Sequence, residues 1–165
     1  MIKKIVLVSC MLAASAFASH PTAQQLTEKI KLKGSQAVIS DLYASNEKEW
    51  QYVTAEIGKG SSEWLTVAGL LVPGSDADSA ETLSEAVGTA IPHNPAGVLN
   101  IITERYYPLS LKQVCGLPFY RLTELQLNQY IVDAIRALYK VPSSKACIDT
   151  MVNVIGASNG FEEDN

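Results

Sequence analysis

The sequence contains few of the residue types that most often perform chemistry, since only two histidines and three cysteines occur among its 165 residues. His20 and His93 stand too far apart to form the i, i+3 or i, i+4 histidine pair of a helical zinc site. The first is predicted to lie in a loose leader, and the second, between Pro92 and Asn94, is predicted to be a turn residue. We therefore expect no metal site, no cofactor and no Cys-His nucleophile.

Long apolar runs are also missing. The apolar run at residues 5–12 is much shorter than the roughly 20 residues that a membrane-spanning helix needs. Two lysines precede this run and Ala-Phe-Ala follows it at residues 16–18, which predicts a secretory signal peptide cleaved after residue 18 and a bacterial periplasmic or secreted protein. Lipidation of Cys10 is the alternative, but it leaves an apolar core shorter than the usual one of about 7 to 15 residues.

Basic residues are scarce once this leader is removed. The remaining chain has 11 basic and 17 acidic residues, which gives a formal charge of −6. An acidic protein is repelled by nucleic acid and by anionic membrane surfaces, whereas a cationic protein partner is compatible with its charge. We therefore expect a protein partner, no nucleic acid and no membrane insertion after cleavage of the signal.

Two cysteines remain after cleavage, Cys115 and Cys147. An even number of cysteines in an exported protein predicts a disulfide bond, and two buried free thiols are the alternative. The sequence also raises a difficulty. Cys115 precedes a long predicted helix and Cys147 follows it, so the bond requires the Cys115 segment to run back along the last two helices.

Capping signals between residues 61 and 102 divide that stretch into three short amphipathic helices. Ser61 is a predicted N-cap of the first, and Asp78 with Glu81 resembles a capping box for the second. Asn94 followed by Pro95 places a favoured N-cap before a proline at the first helical position. Connections of only a few residues require these helices to fold back on one another.

The same periodicity extends along the rest of the chain, including a helix from residue 26 to 43 that Gly34 can divide, and a capping box of Thr123 and Gln126 before the longest helix. We predict an all-α fold, a compact bundle or short solenoid-like array of six to eight short antiparallel helices. Residues 19–158 form the single predicted domain, and residues 159–165 are predicted to be a disordered acidic tail.

Aromatic and arginine residues flank the Cys115 segment on both sides. Because tyrosine and arginine dominate the energetics of many interfaces, we interpret them as a candidate binding surface. Tyrosines at the rim of a helical core are the alternative explanation. The candidate residues are Arg105, Tyr106, Tyr107, Phe119, Tyr120 and Arg121.

The sequence therefore favours an exported acidic helical protein that binds another protein, either as an inhibitor or immunity-type protein or as an accessory factor of the cell envelope. The first alternative is a small cell-wall glycan hydrolase, for which Glu104 is the candidate acid, since such enzymes need a pair of carboxyl groups. The second is a structural envelope protein. No residue is predicted to be catalytic under the favoured hypothesis.

Overall fold

The computed structural model describes residues 20–44 and 46–158, and the predicted signal peptide and acidic tail lie outside these residues. The all-α prediction is confirmed. The described part of the chain contains nine α-helices joined by short connections. Three of these connections contain a 3-10 helix, at Val72–Gly74, Tyr107–Leu109 and Pro142–Ser144. The α-helices are α1 Ala23–Lys33, α2 Ser35–Tyr43, α3 Lys48–Gly58, α4 Ser62–Leu71, α5 Ala77–Thr89, α6 Pro95–Ile101, α7 Leu111–Cys115, α8 Glu124–Leu138 and α9 Lys145–Ser158.

The segment from His20 to Gln25 is more ordered than its sequence indicates. The prediction of a loose leader at His20 is wrong, because its ring stacks on Tyr52 with centroids 4.1 Å apart and its Nδ1 lies 3.1 Å from a Glu49 carboxylate oxygen. A capping box at Thr22 starts α1 earlier than predicted. Gly34, at φ 83°, separates α1 from α2, which explains why the described residues form one α-helix more than the predicted maximum.

Most of the predicted caps are present. The side chain of Ser61 accepts a hydrogen bond from the Trp64 N–H, and the side chain of Asn94 accepts one from the Gly97 N–H. The capping box assigned to Asp78 is wrong: the N-cap of α5 is Asp76, whose side chain pairs with the Ser79 N–H. Both positions match an acidic cap, and serine at the third helical position of α5 replaces the expected glutamate.

The core forms around α5. This helix packs against α3 on one side and against α7 and the 3-10 helix Tyr107–Leu109 on another, while α1 packs against α4. The largest fully buried side chains come from almost every helix and include Leu26, Ile57, Leu65, Leu71, Leu83, Ile91, Leu109, Leu138 and Met151. Within the described ranges, no α-helix combines the length and the apolar character needed to cross a lipid bilayer.

The predicted disulfide is present. The chain turns after the 3-10 helix Tyr107–Leu109 so that α7 lies against α9, which resolves the difficulty raised by the order of the cysteines. Cys115 and Cys147 are bonded, with Cα atoms 5.3 Å apart, and neither residue is exposed to solvent. The bond therefore joins α7, the shortest α-helix among the described residues, to α9.

Candidate functional site

A groove of about 500 Å³ lies between α3 and α5. The end of α2 and the loop before α8 complete its walls. Its lining combines aromatic, acidic and basic side chains, and the residues that line it are Tyr43, Glu47, Trp50, Gln51, Thr54, Ala55, Gly58, Lys59, Asp78, Thr82, Glu85, Ala86, Thr89, His93 and Arg121.

Side chains of α2, α3 and α5 hold the aromatic side of the groove by hydrogen bonds and ring stacking. Trp50 of α3 is 3% exposed, and its Nε1–H donates to Thr82 Oγ1 of α5 over 3.0 Å. The Tyr43 ring stacks on Trp50 with centroids 5.0 Å apart, and the Tyr43 hydroxyl donates to Asp78 Oδ2 over 2.6 Å. Because these contacts link three helices, this side of the groove is formed before any ligand binds.

At the other end of the groove, α3 and α5 approach closely. A Cβ atom on Gly58 would lie 3.3 Å from Thr89 Cγ2, which is tighter than an ordinary van der Waals contact. Glycine at this position lets the two backbones come together. The two helices are therefore in close contact near Gly58.

Three acidic and two basic side chains line the groove, namely Glu47, Asp78 and Glu85 with Lys59 and Arg121, which leaves a small excess of negative charge. The cap and body of α5 contain four acidic residues, Asp76, Asp78, Glu81 and Glu85, and no lysine or arginine. Within the described residues, neither these four nor Glu47 forms an ion pair, whereas Asp41 pairs with two lysines and Glu56 pairs with Lys59 of the groove. Hydrogen bonds from the Ser79 side chain and backbone lower the pKa of Asp76, which keeps this cap negatively charged.

The raised pKa values of Tyr43 and Tyr130 predict how the free energy of unfolding changes at alkaline pH. Burial and the neighbouring Asp78 carboxylate raise the pKa of Tyr43, and burial raises that of Tyr130, whose hydroxyl donates to the Gly88 carbonyl oxygen over 2.8 Å. Between the unfolded pKa of about 10 and these higher values, the folded state holds more protons than the unfolded state, so stability falls as pH rises through this range.

We therefore expect the free energy of unfolding to decrease above about pH 10, and Tyr43→Phe to make that decrease shallower. Urea unfolding at a series of alkaline pH values measures both slopes. Tyr107→Phe is the control, because Tyr107 is 69% exposed. If Tyr43→Phe, like the control Tyr107→Phe, left the pH dependence of the free energy of unfolding unchanged, the assigned role of Tyr43 would be wrong.

The structure divides the sequence-predicted binding surface into two parts along α5. The 3-10 helix that begins at Tyr107 lies beside Ser84, whose hydroxyl donates to the Pro108 carbonyl oxygen. The second part lies further along α5, where Phe119 approaches Gly88. Each part thus contacts a different turn of α5.

The individual side chains differ in their surroundings. The Arg105 guanidinium lies 5.3 Å from the centre of the Tyr106 ring, and Phe119 packs edge to face against Tyr130 with centroids 4.5 Å apart. Tyr120 is 70% exposed. Of the six predicted residues, Arg121 is the one that lines the groove.

Several groove residues were not predicted from the sequence. Trp50 and Glu85 looked like ordinary positions on amphipathic helices, and His93 looked like a turn residue. The one available signal was the acidic composition of residues 76–89, which contain no compensating base. The pairing of α3 with α5, which turns this composition into a groove wall, depends on tertiary structure.

Glu104, the candidate acid of a glycan hydrolase, is exposed and has a local structural contact. Its Oε1 accepts a hydrogen bond from the Leu111 N–H at the start of α7, over 2.9 Å. The carboxylate thus satisfies one of the free N–H groups at the beginning of a short helix. It does not line the α3–α5 groove.

Residues 156–160 match the spacing Gly-x-Ser-x-Gly of a nucleophile elbow. In α/β-hydrolases the serine of this motif stands on a sharp turn from a strand to a helix. Here α9 continues through Gly156 to Ser158, and no strand is found in the described part of the chain. The local structure therefore gives this motif no support as a nucleophile.

Fold and site together define an all-α protein with one disulfide and an acidic interhelical groove. In comparisons with known proteins, no family model matches the chain, and no curated protein or solved structure matches it at a significant level. Within residues 20–44 and 46–158, no group of three or more His, Cys, Asp or Glu side chains is arranged to hold a metal ion. The function is therefore inferred from the groove itself.

Proposed function

We propose that this is an exported protein that binds another protein by receiving a cationic segment of it in the α3–α5 groove. An inhibitor or immunity-type protein that occupies a basic enzyme, or an accessory factor of an envelope assembly, acts in this way. The disulfide between Cys115 and Cys147 supports export, because such bonds persist mainly in oxidising compartments. The predicted signal peptide agrees with this location.

The observation that carries the proposal is a set of acidic side chains at and beside the groove that form no ion pair within the described residues. Glu47 on one side and Asp78 and Glu85 on the other supply carboxylate oxygens, and Asp76 and Glu81 extend the negative field along α5. A lysine or arginine from a partner would supply the missing positive charge. Complementary charge of this kind raises association rates and selects between partners more than it increases affinity.

The aromatic residues add a contact surface to this charge. The half-buried Tyr43, which is fixed by stacking on the buried Trp50, forms an apolar side along which the methylene groups of a lysine or arginine can lie. Arg121, which lines the groove, and the exposed Tyr120 stand at the loop before α8, where Tyr120 can contact the partner outside the groove. This arrangement includes one part of the binding surface predicted from the sequence.

The hydrolase alternative has its best support in the same groove, since carboxylates come from both facing helices. Two carboxyl groups on opposite sides of a cleft are what glycoside hydrolysis requires. Turnover of purified peptidoglycan that is abolished by Glu85→Gln would favour this enzyme over the binding protein. Turnover abolished by Glu104→Gln would place the reaction outside the groove.

Binding of defined peptides tests the proposal directly. The probes are a peptide of lysine, arginine and serine, and its counterpart in which glutamate replaces each basic residue. We expect only the basic peptide to bind, and we expect its affinity to fall as salt increases from about 50 to 300 mM, because exposed charges are screened. Fluorescence anisotropy at several salt concentrations gives these affinities.

Charge-matched variants show whether the groove is responsible. Glu47→Gln with Glu85→Gln removes two carboxylates from the groove, and Glu28→Gln with Glu63→Gln removes two exposed carboxylates on other helices. We expect the groove variant to weaken binding about five- to thirtyfold, on the basis of exposed charge pairs worth up to about 1 kcal/mol each, and the control variant less than about twofold. Equal losses in both variants would contradict a specific site.

A further inference from the structure

The helix α8 has apolar side chains on two opposite faces. The inner face packs into the core through Tyr130, Ala134 and Leu138. The outer face contains Leu125 and Val132, which are 79% and 43% exposed, and it ends at Tyr139, which is 73% exposed. A helix at the surface of a monomer normally has a polar outer face. The outer stripe of α8 therefore requires an explanation.

The outer stripe has a regular spacing. Leu125, Val132 and Tyr139 follow one another at intervals of seven residues, which is nearly two turns of an α-helix. They therefore form a narrow row about 21 Å long, with Val132 at its centre. Because the row is symmetric about Val132, two copies related by a twofold axis at this residue can place Leu125 of one against Tyr139 of the other.

We propose that the outer face of α8 associates with the same face of a second copy of this chain, with the two helices antiparallel. The Val132 side chains then meet at the twofold axis. Each Leu125 packs against Tyr139 of the other copy, so every large apolar side chain of the row is covered. This interface is separate from the α3–α5 groove and does not depend on the proposed function.

The charges along α8 favour the antiparallel arrangement. Glu124 lies at one end of the row and Lys140 at the other, and within the described residues neither forms an ion pair. Antiparallel pairing brings Lys140 of each copy level with Glu124 of the other and opposes the two helix dipoles. It also brings Arg136 level with the Asn128 side chain of the other copy. Parallel pairing would place like charges at the same level.

The interface is small, so we expect a weak dimer. A single pair of surface helices of this length buries less than the roughly 1,200 to 2,000 Å² of standard protein interfaces. A dissociation constant on the order of 10 to 100 μM is the expected range. Two copies would then each keep an open groove.

Sedimentation equilibrium of the mature protein, without the predicted signal peptide at residues 1–18, tests this inference over a range of concentrations. We expect Val132→Asp to weaken association at least tenfold, because it places two carboxylates at the twofold axis. The matched control is Leu32→Asp, since Leu32 is 84% exposed on α1. Circular dichroism checks that both variants remain folded. A strictly monomeric parent protein, or equal effects of the two variants, would overturn the proposal.

Single cysteines determine the orientation. In the antiparallel dimer, Val132→Cys forms an intermolecular disulfide with itself, and Leu125→Cys does so only when mixed with Tyr139→Cys. In a parallel dimer, Leu125→Cys and Tyr139→Cys would each form a bond with their own kind. Cross-linking of Val132→Cys together with the mixed pair confirms the arrangement, and self-cross-linking of Leu125→Cys contradicts it.

Discussion

Replacing Cys115 and Cys147 together by alanine is expected to lower the free energy of unfolding by about 3 to 4 kcal/mol, with the protein still folded at low temperature. The two residues are 32 positions apart, and the chain-entropy model gives a cost of this size for opening a loop of that length. For a domain of this size, the midpoint of thermal unfolding should fall by about 10 °C.

The position of the bond explains why the loss is expected to be large. The helix α7 has five residues, too few to be stable alone, and its contacts with α5 and α9 hold it in place. The bond connects α7 covalently to α9 within the core, where both cysteines are fully buried. Without it, the segment between the 3-10 helix Tyr107–Leu109 and α8 depends on packing alone.

Urea and thermal unfolding of the double variant measure this cost. Leu32→Ala is the control, and its stability should stay within about 0.5 kcal/mol of the parent protein, because Leu32 is 84% exposed. A double variant less than about 1 kcal/mol below the parent would show that the bond contributes little to the fold.

The second large effect is expected at Gly74, in the 3-10 helix Val72–Gly74. A Cβ atom at this position would lie 2.2 Å from the backbone nitrogen of Gln36 and 2.7 Å from the carbonyl carbon of Ser35, at the start of α2. Backbone atoms cannot move aside as the end of a side chain can. We expect Gly74→Ala to cost about 2 to 3 kcal/mol by forcing α2 away from α4.

The glycine at position 69, in α4, provides the matched control. A Cβ atom there would meet no atom within 4 Å, and the residue lies inside a helix. Gly69→Ala should therefore stabilise the protein by about 0.5 to 1 kcal/mol. Opposite signs for the two glycines are the predicted result of denaturant unfolding. A loss at both positions or at neither would contradict the packing of the 3-10 helix against α2.

Most of the helices could be predicted because their signals are local. Ser61, Asn94 and Thr123 each accept a hydrogen bond from a backbone N–H three residues ahead, so the cap and its partner lie in one short sequence. The wrong assignment of the α5 N-cap to Asp78 also arose from a local signal. Two acidic residues two positions apart offered two caps, and in the structure Asp76 forms the capping box, with Ser79.

The groove could not be predicted in this way, because its walls come from distant parts of the chain. Trp50 and Thr82 are 32 residues apart and Tyr43 and Asp78 are 35 residues apart, yet both pairs are hydrogen-bonded. The disulfide could be predicted from the number of cysteines, because only Cys115 and Cys147 remain after removal of the predicted signal peptide. The path that brings α7 against α9 was not evident from the sequence.

The most direct test of the central claim, that the acidic groove receives a cationic segment, is a titration of the isotopically labelled protein with the basic peptide, followed by NMR of the backbone amides. The account predicts that the largest shift changes occur along α5 and near Glu47 and Arg121, and that the acidic peptide causes none. Changes spread evenly over exposed acidic residues, or confined to residues outside the α3–α5 groove, would contradict it.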